Sequence, residues 1–448
     1  MRIRKTLAVA TLLAAGVFVV ADTPRYRSAN PTDAVPTQEL VQGPDRHDFP
    51  CKVELESPIL TYQQRYLVGV GITLDRRELM KNGASRDLHY VVKVADEAGK
   101  WFAGQSYEHV TVSRSRRATE SYAEILVRPG SYTVVTIVYD SVHQQANVQR
   151  VHLKVGALKN DPLPLVDRNI NAAEFPLDPP RLHFQSPAEG RWYFYAARFR
   201  PGYVTGSWAF TDDPLHLPVR NAMPAVIDVV VNFSPGSSFG SSVPAYEWNA
   251  NLMLQVASVL SGLEAGEGCA RLSAVDVVQQ SVLLDRRETK KLDWRSLREL
   301  VLKTNYAEVD VQTLSKATQG AIFFRDFLAQ LNTDSSPCGL EPGHYLHVMI
   351  VASTGLVFPR GSPIPPLQPE NSTKTLFYYV RPLVRPSDLW DQIGGILRLE
   401  KPVILEVRGG AEFRRGLAHI ISGIEQQSHT TGPASETLQQ SQLPPAAP

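Results

Sequence analysis

Near residue 222 the spacing of the apolar residues changes, and this change constrains the fold more than any other feature of the sequence. Residues 52–155 repeat short segments of alternating apolar and polar residues, about 10–15 residues apart and separated by turn signals such as Asn82-Gly83. From Ala222 onwards, nearly continuous apolar runs alternate with segments in which apolar residues recur at helical spacing. The sequence therefore predicts a multidomain protein, with a β-sandwich followed by an α/β domain.

The N-terminal unit is predicted to span residues 49–157. About seven short strands with turns between them are typical of an immunoglobulin-like β-sandwich. Tyr132 opens a late strand of this series, where such a fold would place a tyrosine corner. An ordinary core tyrosine is the alternative at this position.

The C-terminal unit is predicted to span residues 222–427. The runs at 226–233 and 346–352 are apolar almost throughout, as expected for strands that helices cover on both faces. Segments at 248–263 and 314–331 have helical spacing. Strands that alternate with helices in this way predict a doubly wound, mainly parallel sheet.

Residues 1–21 have the features of a cleavable signal peptide. Arg2, Arg4 and Lys5 precede the uncharged apolar run 6–20, and a small-residue cleavage site follows. An uncleaved anchor is the alternative, although a run of about 15 residues is short for a bilayer span of roughly 20. No later segment has enough apolar residues to span a bilayer. We therefore expect a secreted or periplasmic protein with no transmembrane segment in the mature chain.

Three further segments lack a regular pattern. Residues 22–48 are polar and contain proline, which predicts a flexible tether. Residues 158–221 are also rich in proline and form either an extended linker or bridging strands. Residues 428–448 have few large apolar side chains and predict a disordered tail.

Charge and cysteine content exclude several classes of protein. The chain has 46 Lys and Arg against 45 Asp and Glu, a balance that argues against binding to nucleic acid or to an anionic membrane surface.

Three cysteines are too few for a disulfide framework, but an oxidising compartment permits one pair. Cys269 and Cys338 both precede strands of the parallel sheet and would lie at its amino-terminal edge. They are the candidate disulfide, and Cys51 is expected to remain free.

Polar residues follow the two central strands of the C-terminal unit. An N-x-S-x-G sequence at residues 232–236 follows the first strand, and Thr354-Gly355 follows the strand at 346–352. In these features the chain resembles the von Willebrand factor A-like proteins found among exported bacterial proteins. In that family the first strand runs into a D-x-S-x-S loop and a later strand is followed by an aspartate. The resemblance implies a ligand site at the carboxyl edge of the sheet, where the family holds a divalent cation.

Asn232 and Thr354 are neutral where the family has aspartates, and Mg²⁺ needs carboxylate ligands to leave water. We therefore expect no metal and no cofactor. The resemblance instead implies a non-enzymatic interaction or adhesion protein that binds an unknown protein or cell-envelope partner through the loops at this edge. The ligand-binding candidates are Asn232, Ser234, Ser237, Ser238 and Thr354.

The alternative function is that of a secreted serine hydrolase. The sequence GSSFG at residues 236–240 fits the G-x-S-x-G pattern, with Ser238 as the nucleophile. Asp388 or Asp391 and then His419 follow in the chain order of a Ser–Asp–His triad. Against this alternative, the serine- and glycine-rich stretch continues beyond the motif, which leaves no tight turn from strand into helix.

Overall fold

The computed structural model describes most of the chain between residues 34 and 430. The described ranges are 34–75, 79, 85–112, 120–166, 170–176, 210–211, 215–234, 243–303, 317–333, 337–341, 344–368, 375–383 and 391–430. The predicted signal peptide at 1–21 therefore lies outside the described residues.

The elements of the N-terminal unit are α1 (Thr37–Gln42), β1 (Arg46–His47), β2 (Cys51–Leu55), β3 (Ile59–Leu60), β4 (Tyr66–Leu74), β5 (Arg86–Asp96), β6 (Ser106–Val112), β7 (Glu120–Val127), β8 (Gly130–Asp140), β9 (Gln145–Val155) and β10 (Ala173–Glu174).

Two antiparallel sheets form the N-terminal unit. Their strand orders are β1-β9-β8-β5-β6 and β10-β7-β4-β2, with β3 paired to β4. The facing sides of the sheets share one apolar core, which includes Val68 and Val70 from one sheet and Leu88 from the other. Since side chains alternate along a strand, Asp87 and His89 of β5 lie on the outer face of their sheet. The β-rich, antiparallel character of this unit agrees with its sequence pattern.

Helix α1 covers the outer face of the five-stranded sheet, where the sequence predicted a flexible tether. Leu40 and Val41 are buried and belong to one cluster with Val91 and Val148 of that sheet. Residues 35–47 are therefore part of the fold, which corrects the predicted tether. The apolar side chains of this short segment bury a stripe of the sheet that water would otherwise contact.

Tyr132 fulfils both roles considered for it. Its hydroxyl lies 3.0 Å from the carbonyl oxygen of Arg128 and 2.9 Å from that of Ala172. A hydroxyl bonded to the backbone a few residues upstream is the geometry of a tyrosine corner. The ring is also buried in the shared core of the two sheets.

The elements of the C-terminal unit are β11 (Leu217–Pro218), β12 (Ala225–Asn232), α2 (Val243–Leu260), β13 (Leu263–Glu264), β14 (Cys269–Asp276), β15 (Ser281–Glu288), α3 (Trp294–Lys303), α4 (Gly320–Asn332), β16 (Leu346–Ala352), β17 (Thr375–Pro382), α5 (Ile393–Leu397), β18 (Val403–Val407) and α6 (Gly410–Thr430).

A mixed six-stranded sheet is the centre of this unit, with the strand order β15-β14-β12-β16-β17-β18. Five strands run parallel, and β15 pairs antiparallel with β14 at one edge. Strands β14 and β15 thus form a hairpin. Its turn contains Gln280 with a φ of 53°, a left-handed conformation that glutamine rarely adopts.

Helices cover both faces of the six-stranded sheet. Ile227 and Val229 of β12 share a cluster with apolar residues of α2, α3 and α6. Val230 of β12 and Met349 of β16 share a second cluster with residues of α4 and α5. No helix in the described part of the chain has both the length and the apolar composition to cross a membrane.

The ends of the C-terminal unit differ from the predicted boundaries. Helix α6 continues to Thr430, and the hydroxyl of buried Ser428 accepts a hydrogen bond from the backbone N–H of Ala222 at 3.1 Å. Residues 428–430 therefore belong to this helix, which corrects the start of the predicted tail, and residues 431–448 lie outside the described range. In the segment 158–221, β10 pairs with β7 and β11 pairs with β13.

A disulfide joins Cys269, the first residue of β14, to Cys338, which lies shortly before β16. Their Cα atoms are 6.4 Å apart, and 69 positions separate them in the sequence. Cys51 is free and half-buried, and burial raises the pKa of its thiol to about 12.

The loop 61–65 of the sandwich inserts against the C-terminal unit. The hydroxyl of Tyr62 donates to the carbonyl of Val407 at 3.2 Å, and the amide of Gln63 donates to the carbonyl of Thr211 at 2.9 Å. All five residues of this loop are buried. The two units are therefore joined by a polar, hydrogen-bonded contact as well as by the chain.

Candidate functional site

Three strand ends meet at the carboxyl edge of the six-stranded sheet. Strand β12 lies between β14 and β16, and all three are parallel, so the residues that follow them are neighbours. From β12 the chain passes to β14 on one side and, after β15, returns to β16 on the other. Open α/β sheets bind ligands where the order of connection reverses in this way. Three of the predicted candidates, Asn232, Ser234 and Thr354, therefore lie at the expected place for a ligand site.

Asn232 holds the three strand ends together. Its Oδ1 accepts the backbone N–H of Ser234 at 3.0 Å and that of Val277 at 3.3 Å. Its Nδ2 donates to the Oγ of Ser353, after β16, at 3.0 Å. The side chain is fully buried. These bonds use both polar atoms of the amide, so Asn232 fixes the backbone around the site.

Ser234 contacts a carboxylate that the sequence reasoning missed. Its Oγ donates to Oδ1 of Asp276, the last residue of β14, at 2.8 Å, and accepts the backbone N–H of Val278 at 3.0 Å. Oδ1 of Asp276 also accepts the backbone N–H of Gln279 at 2.9 Å. Oδ2 is buried and has no hydrogen-bond partner among the described residues. Burial raises the pKa of this carboxyl group, and its hydrogen bonds offset only part of that effect.

Thr354 joins the same network through Asn249 of α2. The Thr354 hydroxyl donates to Oδ1 of Asn249 at 3.1 Å. The Nδ2 of Asn249 donates to the carbonyls of Phe233 at 3.3 Å and Ser234 at 3.2 Å. The structure thus brings together three predicted candidates, Asn232, Ser234 and Thr354. Ser237 and Ser238 lie outside the described residues.

The described residues at this edge do not fit the Mg²⁺ ion that the resemblance implies. Mg²⁺ takes six oxygen ligands and is held by carboxylates. Asp276 brings the one carboxylate of this hydrogen-bonded network, and burial favours its neutral form. Oδ1 of Asn232 already accepts two hydrogen bonds within the protein, and the Thr354 hydroxyl is neutral. The donor set therefore lacks the charge that this cation requires.

The residues considered for a hydrolase triad lie apart. Oδ1 of Asp391 accepts the backbone N–H of Ile393 at 3.1 Å, at the start of α5. His419 is exposed on α6, and α5 and α6 pack on opposite faces of the sheet. Asp388 and Ser238 lie outside the described residues. Among the described residues, the structure therefore brings no two members of the predicted triad together.

A buried ion-pair network includes Asp228 of β12 and His347 of β16. The guanidinium of Arg271 contacts both oxygens of Asp228 at 2.8 Å, and His347 lies 3.0 Å from Oδ2 of the same carboxylate. Burial alone raises the pKa of Asp228, but the hydrogen bonds from His347 and Arg271 outweigh it and lower the pKa. His347 is therefore a core histidine with a structural partner.

Two exposed apolar side chains lie close to the network. Val278 follows Asp276 and is 40% exposed, and Val357 lies three residues after Thr354 and is 37% exposed. Their neighbours Val277 and Phe358 both approach Gly320: a Cβ there would lie 2.9 Å from the Val277 carbonyl oxygen and 3.5 Å from the Phe358 ring. The two valines therefore belong to one region of the carboxyl edge.

Comparison with known proteins identifies no family for this chain. No family model matches it, and no curated protein matches it. Among solved structures, the chicken interferon gamma receptor alpha chain is 16% identical with a TM-score of 0.17, over 24% of this chain and about half (51%) of the receptor chain. A structural genomics target is 12% identical with a TM-score of 0.17, over 26% of this chain and 92% of that one.

A third solved structure matches over a longer stretch. A family 123 glycoside hydrolase from Clostridium perfringens is 8% identical with a TM-score of 0.20, over 86% of this chain and 89% of the hydrolase chain. TM-scores as low as these three establish no common overall fold.

Proposed function

We propose that this chain is an exported interaction protein, made of an immunoglobulin-like sandwich and a von Willebrand A-like domain, which binds a protein of the cell envelope at the carboxyl edge of its six-stranded sheet. It acts by binding and not by catalysis. The protein is secreted or periplasmic, as the N-terminal sequence predicts.

The order of the strands supports a doubly wound domain. Numbered within the six-stranded sheet, the strands lie in the order 3-2-1-4-5-6, which is the order of the doubly wound nucleotide-binding folds, except that strand 3 is antiparallel here. Helices pack on both faces of the sheet. The narrower assignment to the von Willebrand A-like family rests on the N-x-S-x-G sequence after the first strand and on Thr354-Gly355.

The observation that carries the proposal is the buried network of Asn232, Ser234 and Asp276 at the point where the order of connection reverses. Its hydrogen bonds hold the carboxyl ends of β12, β14 and β16 in one arrangement. The first residues of the loops that follow these strands are therefore held rigidly. This lowers the entropic cost of binding a partner, because less of the chain must be ordered on contact. Such pre-organisation supports recognition.

The partner's surface should present apolar groups. Val278 and Val357 offer apolar surface, and burial of apolar area is a main source of affinity in protein interfaces. The site thus suits an apolar side chain of the partner.

Site-specific crosslinking tests the proposal. A photoreactive amino acid at position 278 or 357 of the full-length protein, expressed in its own cell envelope, should capture a discrete partner. The same amino acid at position 142, an exposed valine of the sandwich, is the matched control. The purified partner should then bind Val278→Glu roughly tenfold or more weakly than the natural protein, with Val142→Glu unchanged. Capture from all three positions alike, or equal binding by both variants, would overturn the proposal.

A further inference from the structure

Three side chains with metal-binding atoms converge on the outer face of the sandwich. His89 of β5 lies directly opposite His109 of β6, and Asp87 precedes His89 by two positions. Residues two apart on a strand share a face, and directly opposite residues of an antiparallel pair are near neighbours. The register of two strands therefore gathers an acidic residue and two imidazoles at one point.

The distances within this group are short. Nε2 of His109 lies 2.5 Å from Oδ1 of Asp87, and Nε2 of His89 lies 3.7 Å from Oδ2. One ligand atom from each of the three residues lies within 4.8 Å of the other two. The two imidazole rings stack with their centroids 4.6 Å apart.

One nitrogen of this group lacks the partner that its burial demands. The side chain of His89 is about 6% exposed, and its Nε2 has no hydrogen-bond partner among the described residues. Nδ1 of the same ring pairs with the hydroxyl of Tyr107 at 2.9 Å. A buried polar atom without a partner lowers stability, so its retention calls for an explanation. The free nitrogen lies beside Asp87 and His109.

We propose that Asp87, His89 and His109 bind a zinc ion, through one carboxylate oxygen and two imidazole nitrogens. Imidazole and carboxylate are ordinary zinc ligands, and three protein ligands leave a fourth position open. Asp87 and His109 are each about one-third exposed, so the open position faces solvent and accepts a water molecule. The metal satisfies the unpaired nitrogen of His89.

Groups around the three residues orient them for this role. A metal-bound histidine characteristically uses its second ring nitrogen in a hydrogen bond, as His89 does with Tyr107. The carboxylate of Asp87 accepts hydrogen bonds from Ser141 at 3.0 Å and from Thr111 at 3.1 Å. These partners hold the carboxylate while the metal enters.

Metal entry requires a small adjustment. Zinc–ligand distances of about 2.0–2.2 Å in a tetrahedral site set neighbouring ligand atoms roughly 3.3 Å apart. The pair Asp87–His109 must therefore separate by about 1 Å, while the carboxylate of Asp87 moves slightly closer to His89. His109 is about one-third exposed and has room to move, whereas His89 is fixed by its burial. The metal replaces the hydrogen bond between Asp87 and His109.

Calorimetric titration of the full-length protein with ZnCl₂, after dialysis against a chelator, tests the site. We expect one equivalent of zinc to bind and to raise the unfolding temperature. His109→Ala should weaken binding by more than roughly tenfold, since loss of even an outer-shell partner costs that much. His152→Ala, on the exposed side of β9, is the matched control and should bind as the natural protein does. Circular dichroism shows whether each variant is folded.

A second probe keeps the test independent of variant stability. CoCl₂ titrated into the natural protein should give the intense visible absorption of a low-coordinate site, and ZnCl₂ should remove it by displacement. Asp87→Asn, which retains one oxygen donor, should weaken the absorption. The proposal is overturned if the natural protein binds no zinc, or if folded His109→Ala binds zinc as tightly as the natural protein.

Discussion

The Oγ of Ser234 donates a hydrogen bond of 2.8 Å to Oδ1 of Asp276, and this bond joins the end of β12 to the end of β14. Both side chains are buried. Burial also raises the pKa of Asp276, because the charged carboxylate loses its water. The shape of the candidate site is therefore coupled to the protonation of one carboxyl group.

Asp276 should make stability fall as pH rises above its unfolded-state pKa, near 3.8. The folded state holds this proton more tightly than the unfolded state does, so the stabilising effect is fully present below that pH and is lost as pH passes the raised pKa. Asp276→Asn removes this dependence. The free energy of unfolding, measured in urea between pH 4 and 7, should therefore fall for the natural protein relative to the variant. Exposed Asp326→Asn serves as the control, and a pH-independent difference for Asp276→Asn would contradict the prediction.

Arg271→Met should destabilise the protein by about 3–5 kcal/mol, because it leaves Asp228 buried without its main cation. The Asp228→Asn change added to it should recover part of the loss. Lys303→Ala breaks an exposed ion pair with Glu299 and should cost less than about 0.5 kcal/mol. The free energy of unfolding in urea, measured for Arg271→Met, Asp228→Asn and the double variant, gives the coupling between these two residues. Strictly additive effects would contradict the prediction.

The Asp228 network should also weaken in acid. Its hydrogen bonds lower the pKa of Asp228 below the unfolded value, so its stabilising effect is present above that value and is lost as pH falls through the folded pKa. The natural protein should therefore lose stability below about pH 4 faster than Arg271→Met does. The same urea series, extended to acid pH, provides the measurement.

Gly410→Ala should weaken the contact between the two units. Gly410 begins α6, and a Cβ there would overlap the carbonyl oxygens of Leu60 and Thr61. Overpacking of this kind costs about 1–3 kcal/mol. Gly409→Ala is a matched control, because its Cβ meets nothing within 4 Å. Calorimetric unfolding should show a lower transition temperature for Gly410→Ala alone, and equal transitions for the two variants would contradict this.

Much of the fold follows from the sequence because burial determines the spacing of apolar residues. The run at 226–233 predicted β12 to within one residue, since all eight residues of that strand are buried. The hairpin β14–β15 was missed because its turn residue, Gln280, gives no turn signal. Helix α1 was missed because a six-residue helix after Pro36 is too short to show a period.

The sequence predicted only part of the candidate site, because it did not show where each strand ends. The N-x-S-x-G sequence identified Asn232 and Ser234, which follow a recognisable strand. Asp276 ends a strand whose end was not recognised, although the rule that parallel strands end at one edge would have placed it there. His89 and His109 could not be paired from sequence, because strand register depends on the three-dimensional packing of the sheet.

Ser238 should not react as a serine nucleophile. In the described residues Asp391 hydrogen-bonds to the start of α5 and His419 is exposed on the opposite side of the sheet, so no base is assembled from them. A fluorophosphonate probe should give no adduct with the full-length protein, as judged by intact mass. Stoichiometric labelling that disappears in Ser238→Ala, but persists in Ser237→Ala, would establish the hydrolase alternative instead.

The carboxyl edge should not bind Mg²⁺ tightly. Mg²⁺ gives up water reluctantly and needs carboxylate charge, whereas Asn232 and Thr354 present neutral oxygens that already make hydrogen bonds. Asn232→Asp with Thr354→Asp adds two carboxylates beside Asp276 and should create a weak site, at the cost of the bond from Asn232 to Ser353. Calorimetry with millimolar MgCl₂ should show heat of binding for the double variant only. Saturable micromolar binding by the natural protein, abolished by Ser234→Ala but retained in His109→Ala, would show that the edge is an intact metal site.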